Sequence, residues 1–175
     1  MEALGKRQRI VAVGSMLVTA LAVDILTKWL ILNVVMTPPR VIEITPFFNL
    51  VLGFNSGVSF GMFRDFFFER PFVLVGIKVA IIFALLVWAM RTDKRAEAVA
   101  LGMIAGGATG NVVDRASRCA VTDFLDFHVG AWHWPAFNTA DAAITIGVIL
   151  LLASSIWATK TRTTRSSATS KIATR

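Results

Sequence analysis

Tyrosine is missing from this 175-residue chain, cysteine occurs once, histidine twice, and charged residues make up only 17% of the total. A single cysteine excludes an internal disulfide, and Cys119 has no base or metal partner at a recognisable spacing, so it reads as a small packing residue. Neither His128 nor His133 has a serine or cysteine at a motif distance, so no nucleophilic triad is visible. The shortage of charge comes with 55% hydrophobic residues and a mean hydropathy of +0.67, which excludes a soluble domain of this size. The chain reads as an integral membrane protein.

Four apolar stretches are present: Ile10 to Val35, Pro71 to Met90, Glu97 to Val113 and Phe137 to Ala158. Taken as helices rising about 1.5 Å per residue, they match a hydrocarbon core of about 30 Å, the third being the shortest. That third stretch carries Gly102, Gly106 and Gly110 at intervals of four, on one helix face. Small residues so spaced let another backbone approach closely, which predicts a helix inside the bundle and no chemistry for the glycines. The N-terminus, MEALGKRQR followed by an apolar run and Ala20-Leu21-Ala22, has the look of a cleavable leader. The apolar run resumes at Trp29 to Leu32, so an uncleaved first span is expected.

The net charge of +7 is sorted by side. Lys6, Arg7 and Arg9 precede span one, Arg91, Lys94 and Arg95 join spans two and three, and Lys160, Arg162, Arg165, Lys171 and Arg175 follow span four. By the positive-inside rule both termini are cytoplasmic, and segments 36–70 and 114–136 face outward. Topology and anionic lipid account for the basic tail 159–175, so no nucleic-acid partner is expected. The first outer segment is rich in Val, Ile and Phe with Asn, Ser and Gly at its breaks, which predicts short strands resting on the outer leaflet. Trp132 and Trp134 mark the headgroup level just before span four. The fold class is an all-α polytopic membrane protein, a single membrane domain with a small extracytoplasmic β-rich cradle.

Charge inside a span costs about 2.5 to 3.5 kcal/mol at the helix centre on insertion scales, so intramembrane polar residues are paired or functional. Asp24 and Lys28 stand four apart and read as a buried structural pair. Asn111, Asp114 and Arg115 close span three, and Arg115 offers a planar fork for carboxylates or carbonyls. Asp123 lies beyond span three and Asp141 just inside span four, so the connection between them can bring two carboxylates to one membrane boundary. Such a pair shares a proton, leaving one member to activate a water and the other to protonate a peptide carbonyl. Spacing does not single out Asp123 over Asp126 or Asp114, and a structural ion network competes with a two-Asp site. Asp123, Asp126 and His128 form a weak metal pattern. A small transporter or lipid-binding subunit with an intramembrane polar relay is the alternative, disfavoured because the polar residues gather at one end of the spans.

Five motifs in order, DILTKW (24–29), NLVLGFNSGVSFG (49–61), GGATGNVVDR (106–115), VTDFLDF (121–127) and PAFNTADAAI (135–144), resemble the lipoprotein signal peptidase family, signal peptidase II of bacterial inner membranes. The resemblance runs from Val23 into span four. It implies an aspartyl endopeptidase that cuts diacylglyceryl-modified prolipoproteins just before the lipidated cysteine, with its site at the periplasmic side. It puts the catalytic pair on Asp123 and Asp141, with site support from Asp24, Lys28, Asn55, Gly57, Asn111, Asp114, Arg115 and Asn138. Neither a metal nor another cofactor is expected, the partners are the lipidated substrates and membrane lipid, and a monomer is the expected state. Cys119, where the family commonly has Gly, and Thr122, where an apolar residue is usual, depart from the pattern. The Gly-x-Gly-Asp signature of presenilin-type proteases is missing.

Overall fold

The computed structural model describes residues 4–56 and 71–173, with side chains described from 4 to 56 and from 72 to 156. Gly57, the remainder of the first outer segment and the side chains of the basic tail lie outside the described residues. Among them are four helices long and apolar enough to cross a membrane.

Helix α1 (Lys6–Leu30) continues into a π turn (Ile31–Val35), in which the Met36 N–H bonds the Ile31 carbonyl at 2.9 Å. Pro38 and Pro39 follow and cannot extend a helix. Strands β1 (Ile42–Thr45) and β2 (Phe48–Asn55) come next, then α2 (Pro71–Ala89) and α3 (Arg95–Arg118). The last elements are β3 (Val121–Val129), the short β4 (Trp132–His133) and α4 (Thr139–Ala173).

Helix α3 is the centre of the bundle, packed against α1, α2 and α4. Its glycines are the reason it can be. A Cβ on Gly102 would lie 2.6 Å from the Val13 carbonyl oxygen of α1, and one on Gly106 would lie 2.5 Å from that of Leu17. A Cβ on Gly110 would run into the Asp24 carboxylate, and Gly107 meets Ala140 of α4 in the same way. The expected stripe of small residues is therefore the α1 contact, and Gly107 extends the close approach to α4. The helix also runs past the expected 97–113 limits to Arg118, carrying Asn111, Asp114 and Arg115 in its last two turns.

The four strands form one antiparallel sheet in the order β1-β2-β3-β4. Segment 114–136 thus supplies a nine-residue strand paired to β2, with Gly53 opposite Asp123 and Asn49 opposite Asp126. Ile31, Met36 and Phe124 form a buried cluster with Ile42, Leu50 and Leu52 that seats the sheet on the end of α1. The N-terminus meets the α2–α3 turn at the other end, where the Leu4 N–H bonds the Asp93 carbonyl at 3.0 Å and Arg9 pairs with Asp93 at 2.7 Å. The described N-terminal residues and the sheet accordingly occupy opposite ends of the bundle.

Candidate active site

Alternation along β3 decides which acid meets which. Residues three apart on a strand face opposite ways, so Asp123 and Asp126 point to opposite sides of the sheet. Asp126 is held by Asn49 at 3.1 Å and by His133 at 2.9 Å. Its burial opposes ionisation, but the hydrogen bonds from His133 and Asn49 outweigh that and hold its carboxyl below the usual range. The Asp123, Asp126 and His128 metal pattern does not come together on one face, and Asp126 is removed from the acid-pair candidates.

Asp123 is brought to α4 by a short addition to the sheet. Phe137 bridges Leu125, accepting from the Phe124 and Leu125 N–H groups at 2.9 and 2.8 Å and donating back to Leu125 at 3.0 Å. The next residue, Asn138, is fully buried and caps α4. Its Oδ1 accepts the Asp141 N–H at 3.0 Å, and the Asp141 carboxylate accepts the Asn138 N–H at 3.3 Å, a reciprocal capping box. The Asn138 side-chain amide donates to Asp123 Oδ1 at 2.6 Å. One asparagine therefore ties together both carboxylates, one on a strand and one in the first turn of a helix.

Burial first, then the negative charge of Asp141, pushes the Asp123 carboxyl up to about 6, against hydrogen bonds from Asn138 and Asn55. Asn111 donates to Asp141 Oδ1 at 2.9 Å, and its Oδ1 accepts from Lys28 at 3.1 Å. Behind this lies a packed ion network. Lys28 pairs with Asp24 at 2.7 Å and Asp114 at 3.3 Å, and Arg118 pairs with Asp114 at 2.8 Å. Asp24 accepts the Ala140 N–H and the Thr139 hydroxyl, each at 2.9 Å, so it caps α4 from α1. Asp114 accepts the Thr122 N–H at 2.9 Å and pins the start of β3. Asp24, Lys28 and Asp114 thus hold the elements that carry the acids.

A cavity of about 560 Å³ opens over the pair, lined by Asn55, Asn111, Arg115, Asp123 and Asp141 and walled by Trp134 to Phe137. It also admits Lys78 of α2, which sequence patterning does not single out. The available signal was a solitary cation in an otherwise apolar span. Of the expected residues with described side chains, Asn55, Asn111, Arg115, Asn138 and the two acids gather at the cavity or its edge.

Membrane-length helices beside a cavity with two carboxylates linked through one asparagine fit one class, the membrane aspartic endopeptidases. The family described as Signal peptidase (SPase) II matches residues 16–157, and the chain belongs to it. A lipoprotein signal peptidase of Methylorubrum extorquens (strain PA1) is 43% identical over 143 residues, covering 80% of this chain and 82% of that protein. One of Burkholderia thailandensis is 46% identical over 112 residues, covering 63% and 67%. Two solved bacterial membrane enzymes superpose with TM-scores of 0.74 and 0.68 at 27% and 28% identity. They cover 84% and 81% of this chain, and 88% and 90% of their own.

Proposed function

We infer that Asp123 and Asp141 jointly activate the water that cuts the peptide bond before the diacylglyceryl cysteine of a prolipoprotein. The protein is a lipoprotein signal peptidase by family, an aspartyl protease that removes signal peptides from prolipoproteins. The observation that carries the residue assignment is the double tether of Asn138, to Asp123 at 2.6 Å and to Asp141 at 3.3 Å. With one proton on the pair, the ionised member takes a proton from water while the protonated member gives one to the carbonyl oxygen. The water oxygen bonds the carbonyl carbon, and the resulting gem-diol collapses. The C–N bond then breaks as the protonated member gives its proton to the leaving nitrogen and the other member takes one from a gem-diol hydroxyl, so that the pair again holds one proton. Asn55 and Arg115, at the cavity, support the extended substrate, and Gly57 is proposed beside them from the family motif alone.

The remaining assignments follow from the two ends of the bundle. Lys6, Arg7, Arg91 and Lys94 mark the cytoplasmic end, and the sheet with its exposed Phe47, Phe54, Trp132 and Trp134 lies periplasmic at the inner-membrane surface. Acyl chains, at about 0.8 kcal/mol per buried CH₂, keep the substrate in the bilayer and deliver its cleavage site by lateral diffusion. The test is incubation of the purified protein with a diacylated prolipoprotein and its unlipidated form. Cleavage of the lipidated form only is expected, and Asp123→Asn or Asp141→Asn should lower the rate by about 10⁴ or more while insertion is normal. An Asp141→Asn enzyme with normal turnover would overturn the acid-pair reading. EDTA should leave the rate unchanged, whereas inhibition reversed by zinc would restore the metal alternative.

A further inference from the structure

Lys78 is the only charged residue in α2, whose sequence is PFVLVGIKVAIIFALLVWA. An ammonium in such a setting is expensive unless something compensates it. It lines the cavity that holds Asp123, Asp141, Asn111 and Arg115. Helical side chains lean toward the helix N-terminus, and in α2 that is the end away from the α2–α3 turn, the end at which the sheet and acids lie. Among the described residues, the charges whose fields act on it are the cations Arg115 and Lys28 and the carboxylates Asp141 and Asp123.

The neighbouring cations are already engaged. Lys28 is held by Asp24, Asp114 and Asn111, Arg118 by Asp114, and Arg115 has a partner of its own. Among the described residues Lys78 makes no ion pair and no hydrogen bond through its ammonium. With one proton shared by the acids, Lys78 and Arg115 give the described residues of the cavity lining one more positive charge than negative. The resting site therefore has room for an anion.

Hydrolysis supplies one. When the amide C–N bond breaks, the water oxygen stays on the acyl carbon and the amine leaves with a proton. The acyl fragment, the signal peptide, ends in a carboxylic acid that ionises by losing its proton to water. A carboxylate formed at membrane depth without a counter-ion is strongly disfavoured. We propose that Lys78 is the binding position for this new C-terminal carboxylate, a product subsite facing the acid pair across the cavity. It rests on the peptidase reading above, and it makes the released signal peptide a ligand recognised by its charge.

The test uses the full chain in lipid nanodiscs and two synthetic lipoprotein signal peptides that end at the cleavage position, one as the free acid and one as the C-terminal amide. Direct binding is measured for wild type, Lys78→Met, Lys78→Gln and Lys78→Arg, with prolipoprotein cleavage assayed in parallel. In wild type the acid should bind about tenfold or more tighter than the amide, as a charge-assisted hydrogen bond allows. Lys78→Met and Lys78→Gln should bring the two peptides within about twofold, while Lys78→Arg keeps the preference. Equal binding by wild type, or an acid preference that survives both neutral variants, overturns the proposal. If prolipoprotein is not cleaved at all, the peptidase reading fails, and the acid-to-amide ratio still reports separately on Lys78.

Discussion

At the scale of single residues, the proposed acid pair turns on the Asp123 carboxyl, which burial and the charge of Asp141 push toward its protonated form. Its carboxyl, raised to about 6 from 3.8, favours the folded state fully below about 3.8 and progressively less as pH rises through about 6. Replacing it with Asn removes an ionisation that opposes folding. Asp123→Asn is therefore expected to be inactive yet to melt higher than wild type at pH 8, with the gain shrinking toward pH 4, as thermal unfolding in detergent will show. If Asp123 and Asp141 act as proposed, the same group is expected to set the alkaline limb of kcat/KM near pH 6 in the free enzyme, as a pH–rate profile will show. Because the Asn55 hydrogen bond lowers this carboxyl, Asn55→Ala should move that limb to higher pH. Cys119 sits at φ 59°, a left-handed position closing α3, where glycine is unstrained. Cys119→Gly is expected to stabilise by about 1 kcal/mol, measured as a rise in melting temperature.

At the scale of elements, the critical contacts are the ones between helices that carry the site. Lys28 of α1 neutralises Asp24 and Asp114 while holding Asn111, all buried. Lys28→Met leaves Asp24 without a counter-ion and Asp114 with Arg118 alone, and should cost about 3 to 5 kcal/mol, read as loss of folded protein on mild heating. Gly110→Ala acts on the same joint from the other side, because its methyl group displaces the Asp24 carboxylate that caps α4. About 1 to 3 kcal/mol is expected from the overpacking alone. Activity should fall further than stability, because Ala140 and with it Asp141 lose their anchor. A Gly76→Ala control, which meets nothing, should lower neither.

For the whole molecule, the bundle has one end where the N-terminus is clasped and one where the proposed chemistry takes place. Arg9, Asp93 and Leu4 clasp the first, while the second carries the sheet and the acids. Single cysteines at Lys6 and Val129, introduced into a Cys119→Ser background, should be labelled by an impermeant thiol reagent from opposite faces of the membrane. Labelling of both from one face would overturn the proposed orientation. Legibility from sequence followed the same division. The spans, the small-residue face of α3 and the crowding of polar residues at one end were all readable, since each is a local sum of hydropathy or a fixed helical spacing. The extension of α3 to Arg118 was not, because its last turns are polar and their burial comes from Lys28 and Thr122. Spacing could not set Asp126 aside either; the family resemblance passed over it, and the physical reason came only with β3 as a strand.

By itself the amino-acid order determined that this chain inserts in a membrane, how many times it can cross, and which family motifs it carries, because lipid selects apolar length residue by residue. Tertiary structure alone decided that Asp126 faces away from Asp123, that Asn138 links Asp123 to Asp141, and that Lys78 enters their cavity. Those outcomes depend on strand pairing between β2 and β3, on the Leu125–Phe137 bridge and on α2 packing against α3. Each brings together groups far apart along the chain, so no local pattern records them.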